Sequence, residues 1–240
     1  DEDIEKALGV YNANNCDGVI GLGGGSALDS AKMIPILAAM GGKIPDYDCS
    51  TGGNQKIQGP LPQVIAIPTT AGTGSEVGRC SVISSASKGS KYMVCHPLMM
   101  PAMAVLDPEL TTSLPDFLTA STGMDAFTHH LESLTAPVFH PMCDGIALKG
   151  IEMVIENLET AVKEPENMAA RGYMILAAMM GAVSFQKDLG AAHSLSHALS
   201  SVAGLQHGQA NAICLVPVMK FNLEVSTKEY AKVAACFGIN

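Results

Sequence analysis

A parallel α/β half followed by an all-helical half is the fold class this sequence predicts, and three observations predict it. Three short apolar runs in the first part each end in glycine, proline, serine, threonine or aspartate. A segment with helical spacing joins the first two of these runs. From about residue 115 the turn residues thin out, and helical candidates follow one another to the end.

Element by element, the chain opens on a polar, helix-like stretch (DEDIEKALGVYNANN, 1–15). Asp17-Gly-Val-Ile-Gly-Leu22 then runs into Gly23-Gly-Gly-Ser26. Leu61-Pro-Gln-Val-Ile-Ala-Ile67 runs into Pro68-Thr-Thr-Ala-Gly-Thr-Gly-Ser75, and Ala102-Met-Ala-Val-Leu106 into Asp107-Pro108. Near-continuous apolar runs of this length fit strands of a parallel sheet buried on both faces. Ala27 to Met40 is the crossover helix that makes the first two a βαβ unit. Lys43–Gly59 reads as a loop or lid and Ser84–Lys91 as a hairpin turn. Helices are predicted over roughly 115–135, 141–161, 167–187, 190–203, 208–223 and 226–237. Pro137, Pro141 and Pro165 stand at their ends, and Gly204 and Gly208 interrupt the penultimate pair. The domain boundary falls near 112, giving a partial α/β domain (1–112) and a helical domain (113–240).

Composition narrows the function. Of 240 residues 48% are hydrophobic and 15% charged, enough for a sizeable core, and the net charge is −9. An acidic chain with no run of Lys or Arg is a poor partner for nucleic acid. The longest strongly apolar run, Met174–Val183, is too short to span a bilayer, and no signal-like N-terminus is present. Seven cysteines without a CxxC pair read as reduced thiols in a cytoplasmic protein. The chain starts on Asp1 rather than Met, so it reads as a piece of a longer protein.

The glycine run offers a first chemistry. Strand, Gly23-Gly24-Gly25-Ser26 and helix make a phosphate cradle: the glycines admit close approach of an oxyanion, and the helix N-terminus presents amide donors. Gly21 to Ser26 departs from the GxGxxG dinucleotide pattern at its last position. A tight strand–helix turn is the plain alternative. The loop Thr69–Ser75 again follows a buried strand and sets hydroxyls at its carboxyl end, where open α/β sheets bind ligands. Two such loops favour a phosphate or dinucleotide site.

The histidines offer a second. Asp125 and His129 lie four apart on one helix face, His193 and His197 repeat the spacing, and His207 follows where a helix restarts. A carboxylate with several imidazoles and no thiolate suits Fe²⁺ or Zn²⁺. An Asp–His pair of this spacing is also a common hydrogen-bonded pair without a metal. His96, His130 and His140 have no partner at ligand spacing and read as solvent-facing or structural.

Together these segments resemble one family. GLGGGSALDSAK (21–32), PTTAGTGSEV (68–77), GMDAFTHHLES (123–133), GAAHSLSHALS (190–200) and QHGQANA (206–212) stand in the order found in the iron-containing, or group III, alcohol dehydrogenases. The resemblance implies a Rossmann-like nucleotide-binding α/β domain, a helical metal-binding domain and an active site in the cleft between them. It implies a divalent metal, Fe²⁺ first and Zn²⁺ second, held by Asp125, His129, His193 and His207, and NAD or NADP as the second cofactor. His197 takes the catalytic proton-relay role. Gly24, Gly25, Ser26 and Asp29 cradle the pyrophosphate, while Thr69, Thr70, Thr73 and Lys91 line the rest of the cofactor groove. The implied substrate is a small neutral alcohol or its aldehyde, and the implied protein partner a second copy of the chain. The strand unit that selects NAD from NADP and the last helices of the family are missing. Gln206 stands where the family often has another histidine, and His130 where it has a small residue. Glycerol dehydrogenase or dehydroquinate synthase chemistry, and a non-catalytic binding fragment, are the alternatives.

Overall fold

The computed structural model describes residues 2–85 and 90–239, which divide into two units. One runs to Thr69 and resumes over Ser75–Leu106. The other takes Thr70–Gly74 and everything described from Asp107 onward.

In the first unit, helix α1 (Glu2–Ala13) precedes strand β1 (Gly18–Gly23), helix α2 (Gly25–Met40) and strand β2 (Gln63–Pro68). Strands β3 (Cys80–Ser85), β4 (Ser90–Cys95) and the short β5 (Met103–Ala104) follow. The parallel sheet has the order β1-β2-β5, with Val19 opposite Val64 and Ile65 opposite Met103. The pair β3-β4 is antiparallel, and the turn expected within Ser84–Lys91 lies in part outside the described residues. Gly21 lets α2 lie close on β1, since a Cβ there would stand 2.8 Å from that of Ala31.

Helix α2 buries Leu28 and an unbroken run from Ala31 to Leu37, so it is central to this unit rather than amphipathic. Met33, Ile36, Ile44, Tyr47, Ile57 and Val94 belong to one buried cluster. The stretch Lys43–Gly59, expected as a loop or lid, contains three successive 3₁₀ turns that place Ile44, Tyr47 and Ile57 in that cluster.

Two expectations are corrected here. Strand β1 is not buried on both faces: Ile20 is 67% and Leu22 58% exposed, because α2 covers the Gly21 side. Nor are all the cysteines free. Cys80 and Cys95 face each other directly in the β3-β4 register and are disulfide-bonded, a pairing made by strand register and invisible in linear spacing.

The second unit is helical: α3 (Asp116–Thr135), α4 (Pro141–Lys163), α5 (Met168–Ser184), α6 (Ala191–Ala203), α7 (His207–Asn222) and α8 (Thr227–Cys236). Their ends have local causes. His140 caps α4 by accepting the Cys143 N–H, Asn167 caps α5 by accepting that of Ala170, and Gln206 caps α7 by accepting that of Gln209. Gly204 ends α6 in the left-handed region. On α4 the buried positions Cys143, Ala147, Gly150, Ile151 and Val154 follow helical spacing. Helix α5 is small-sided, with Ala177, Ala178 and Ala182 at most 1% exposed, which permits close packing.

His130 is structural, not solvent-facing. Its ring fills the space left by Gly150, where a Cβ would stand 2.0 Å away, and its Nε2 lies 2.9 Å from the Ala177 carbonyl oxygen. Thr70–Gly74 joins this unit because its glycines touch it: a Cβ on Gly72 would meet that of Thr122 at 2.8 Å, and one on Gly74 that of Ala182 at 2.3 Å. No described helix is long and apolar enough to cross a membrane.

Candidate metal centre

Helix α3 carries Asp125 and His129 on one face, and α6 brings His193 to them. One ligand atom from each of the three lies within 4.8 Å of the others, and all three residues are buried. The Asp125 Oδ1 is 3.8 Å from His129 Nε2 and 3.5 Å from His193 Nε2. The His129 and His193 rings stack at 4.6 Å. His207, the first residue of α7, puts its Nε2 3.6 Å from the same Oδ1 but stands outside the tight trio and is 25% exposed. The His197 ring lies 4.8 Å from that of His207, and the residue is exposed.

The electrostatics follow from burial and crowding. Burial works against the Asp125 charge, yet His129, His193 and His207 around it hold its carboxyl well below the usual range. Burial pushes His129 down to about 3, against the pull of Asp125, so it stays neutral. On His193 burial is outweighed by hydrogen bonds to Asp125 and Glu132, which raise it to about 9. Among the described residues, His129 Nδ1 has no hydrogen-bond partner, and its Nε2 is too far from Asp125 for a hydrogen bond. Nε2 is the nitrogen turned toward Asp125, and a divalent cation between the two would give its lone pair the partner that the 3.8 Å gap denies it. The donor set, one carboxylate and imidazoles, fits such an ion.

Two residues of this centre escaped the sequence reading. Glu132 is 4% exposed, and its Oε2 lies 2.6 Å from His193 Nδ1. It falls three after His129 and seven after Asp125, on the same face of α3, which is the signal that could have found it. Asn211 is fully buried, four residues after His207. Its Nδ2 donates to Asp125 Oδ1 at 2.7 Å, while its Oδ1 has no partner among the described residues.

The predicted cofactor residues are spread over both units. Gly24, the N-cap of α2, is extended and has no side chain with which to cap it, and Gly25 and Ser26 begin its first turn, so the helix start carries a partial positive charge. Asp29 is engaged elsewhere. It accepts from Ser75 Oγ at 2.5 Å and from the Val82 N–H at 2.8 Å, and pairs at 3.0 Å with the buried Lys32. Thr69 follows β2 and donates its N–H to the Gly23 carbonyl, and Lys91 lies on β4. Thr70 and Thr73 belong to the helical unit.

A model of the family described as iron-containing alcohol dehydrogenase matches residues 1–108, and a model of the C-terminal part of the Fe-containing alcohol dehydrogenases matches 119–240. The chain belongs to the iron-containing alcohol dehydrogenases. It is 43% identical over 229 residues to 4-hydroxybutyrate dehydrogenase of Cupriavidus necator, covering 93% of this chain and 60% of that protein. With the NAD-dependent methanol dehydrogenase of Bacillus methanolicus it shares 37% over 241 residues, covering 100% of this chain and 62% of the relative. The crystal structure of a 1,3-propanediol oxidoreductase superposes with a TM-score of 0.95 at 34% identity, over 100% of this chain and 62% of that one. This iron-containing alcohol dehydrogenase chain thus spans about three fifths of the length of the curated relatives it matches.

Proposed function

We propose that the chain is the dinucleotide- and metal-binding part of an alcohol dehydrogenase that interconverts a small primary alcohol and its aldehyde by hydride transfer with NAD or NADP. The observation that carries this reading is the buried meeting of Asp125, His129 and His193, with His207 at its edge. These four residues hold the ion, Fe²⁺ or Zn²⁺. When bound, such an ion supplies a Lewis acid that lowers the pKa of an alcohol hydroxyl.

The rest falls to the chain's own groups. Gly24, Gly25 and Ser26 take the pyrophosphate at the start of α2. Thr69, Thr70, Thr73 and Lys91 serve the remainder of the cofactor, and Asp29 supports the loop from behind through Ser75 and Val82. His197, exposed beside His207, is suited to pass a proton to solvent. 4-Hydroxybutyrate, methanol and 1,3-propanediol, named for the similar proteins, share a primary hydroxyl, which supports that substrate class.

The test is metal content by elemental analysis for five alanine variants, beside reduction of NAD or NADP with short alcohols. Asp125→Ala, His129→Ala, His193→Ala and His207→Ala should lose the metal. His197→Ala should keep it and turn over roughly 10²–10⁴-fold more slowly. If His197→Ala empties the site while one of the other four stays loaded, the roles are wrong.

A further inference from the structure

We infer that Glu132 is a positioning residue for the metal centre: its carboxylate fixes the ring and backbone of His193 so that Nε2 faces Asp125. The inference rests on the reading of Asp125, His129, His193 and His207 as metal ligands.

A deprotonated carboxylate only accepts hydrogen bonds, so the 2.6 Å contact between Glu132 Oε2 and His193 Nδ1 places a proton on Nδ1. Nε2, 3.5 Å from Asp125 Oδ1, is then the nitrogen left for a metal, which takes the place of any proton there. Glu132 does more than orient a ring. Its Oε1 accepts the Ala192 N–H at 2.6 Å and its Oε2 the His193 N–H at 3.2 Å. Helix α6 starts after Gly190, which has no side chain to cap it, so Glu132 supplies the cap from α3. Gly190 makes room: a Cβ there would stand 2.6 Å from Glu132 Oε1. One carboxylate therefore ties the third ligand, ring and main chain, to the helix that carries the first two.

Glutamine separates positioning from plain capping. Its single carbonyl oxygen can take the place of Oε1 at the Ala192 N–H or of Oε2 at the His193 ring, but not both as the carboxylate does. With its NH₂ facing Nδ1, that nitrogen must accept, and the ring keeps its proton on Nε2, the metal-facing atom. The experiment measures Zn²⁺ affinity of the 240-residue chain by chelator competition and, in the metal-free form, thermal melting and the Nδ1–H signal of His193 by ¹⁵N NMR.

Positioning predicts that Glu132→Gln weakens Zn²⁺ binding about 10–100-fold and loses the Nδ1–H signal. Gly190→Ala, which pushes the carboxylate aside without removing it, should weaken binding in the same direction and keeps the test alive if Glu132→Gln folds poorly. Zn²⁺ affinity within about threefold of wild type in both variants, with only melting lowered, makes Glu132 a cap and overturns the inference. Failure of the wild-type chain itself to bind Zn²⁺ overturns the metal reading, and this inference with it.

Discussion

Gly208, next to the ligand His207, is where packing and the metal centre can be separated from the ligands' own chemistry. A Cβ on Gly208 would stand 1.9 Å from the Ser121 carbonyl oxygen and 3.2 Å from the Asp125 Cβ, all on α3. That is about 1 Å inside the 3.0 Å that real Cβ contacts respect, and the obstacle is backbone, so α7 must retreat from α3. Overpacking of this kind costs about 1–3 kcal/mol, against which alanine regains up to about 1 kcal/mol of helix propensity. The retreat also carries His207 Nε2 away from Asp125 Oδ1, now 3.6 Å distant. Gly208→Ala should therefore lower stability by about 1–2 kcal/mol in urea melts and weaken Zn²⁺ binding at least tenfold. Gly145→Ala, at an exposed α4 position with nothing within 4 Å, is the matched control and should stabilise by up to about 1 kcal/mol. If both alanines behave alike and Zn²⁺ affinity is unchanged, the close α3–α7 approach does not set the ligand geometry.

Two further predictions concern buried charge. Burial depresses His130 to about 4, so the unfolded chain takes up this proton first as pH falls below 6.5. The His130 contribution is complete above about pH 6.5 and lost progressively toward pH 4, at roughly 1.4 kcal/mol per unit. His130→Gln should flatten the acid side of the metal-free stability profile by about 2 kcal/mol at pH 5, and an unchanged slope in denaturant melts would refute it. In the first unit, Lys32 is 1% exposed and pairs with Asp29. Asp29→Asn should cost about 3 kcal/mol by stranding that ammonium, and Lys32→Met in the same chain should recover part of it. A loss below about 0.5 kcal/mol in Asp29→Asn would show that Ser75 and the backbone carbonyls around Lys32 suffice.

Much of this was legible in the sequence wherever the cause is local. The helix limits follow from Pro141, Gly204 and the capping residues, and the six predicted helices agree with α3 to α8 within a few residues. Asp125 and His129 announce themselves by sharing a helix face. Contacts made between distant segments were not legible. Glu132 meets His193 across 61 positions and Asn211 meets Asp125 across 86, so neither spacing signals the pairing. Cys80 and Cys95 pair through strand register. The glycines of Thr70–Gly74 read as ligand-loop residues, yet Gly72 and Gly74 are also required by contact with Thr122 and Ala182.

Helix α3 explains why the metal centre sits where it does. Fourteen of its twenty residues are buried, although much of its sequence is polar. Ordinary amphipathic reasoning would leave such a helix at the surface. Its hydroxyls remove the objection by bonding within the helix: Ser121 to the Phe117 carbonyl, Thr122 to Leu118 and Thr128 to Met124, at 2.7–2.8 Å. Ser133 instead reaches the Ser184 carbonyl on α5 at 2.7 Å. Beside His130, which reaches the Ala177 carbonyl on α5, the polar groups not satisfied within α3 include the row Asp125, His129 and Glu132, and burying that row is tolerable only if other helices bring partners to it. Helix α6 brings His193 and two main-chain amides, and α7 brings Asn211 and His207. His129, whose Nε2 faces Asp125 Oδ1 across 3.8 Å, too far for a hydrogen bond, marks where those partners fall short and where a cation has the most to contribute.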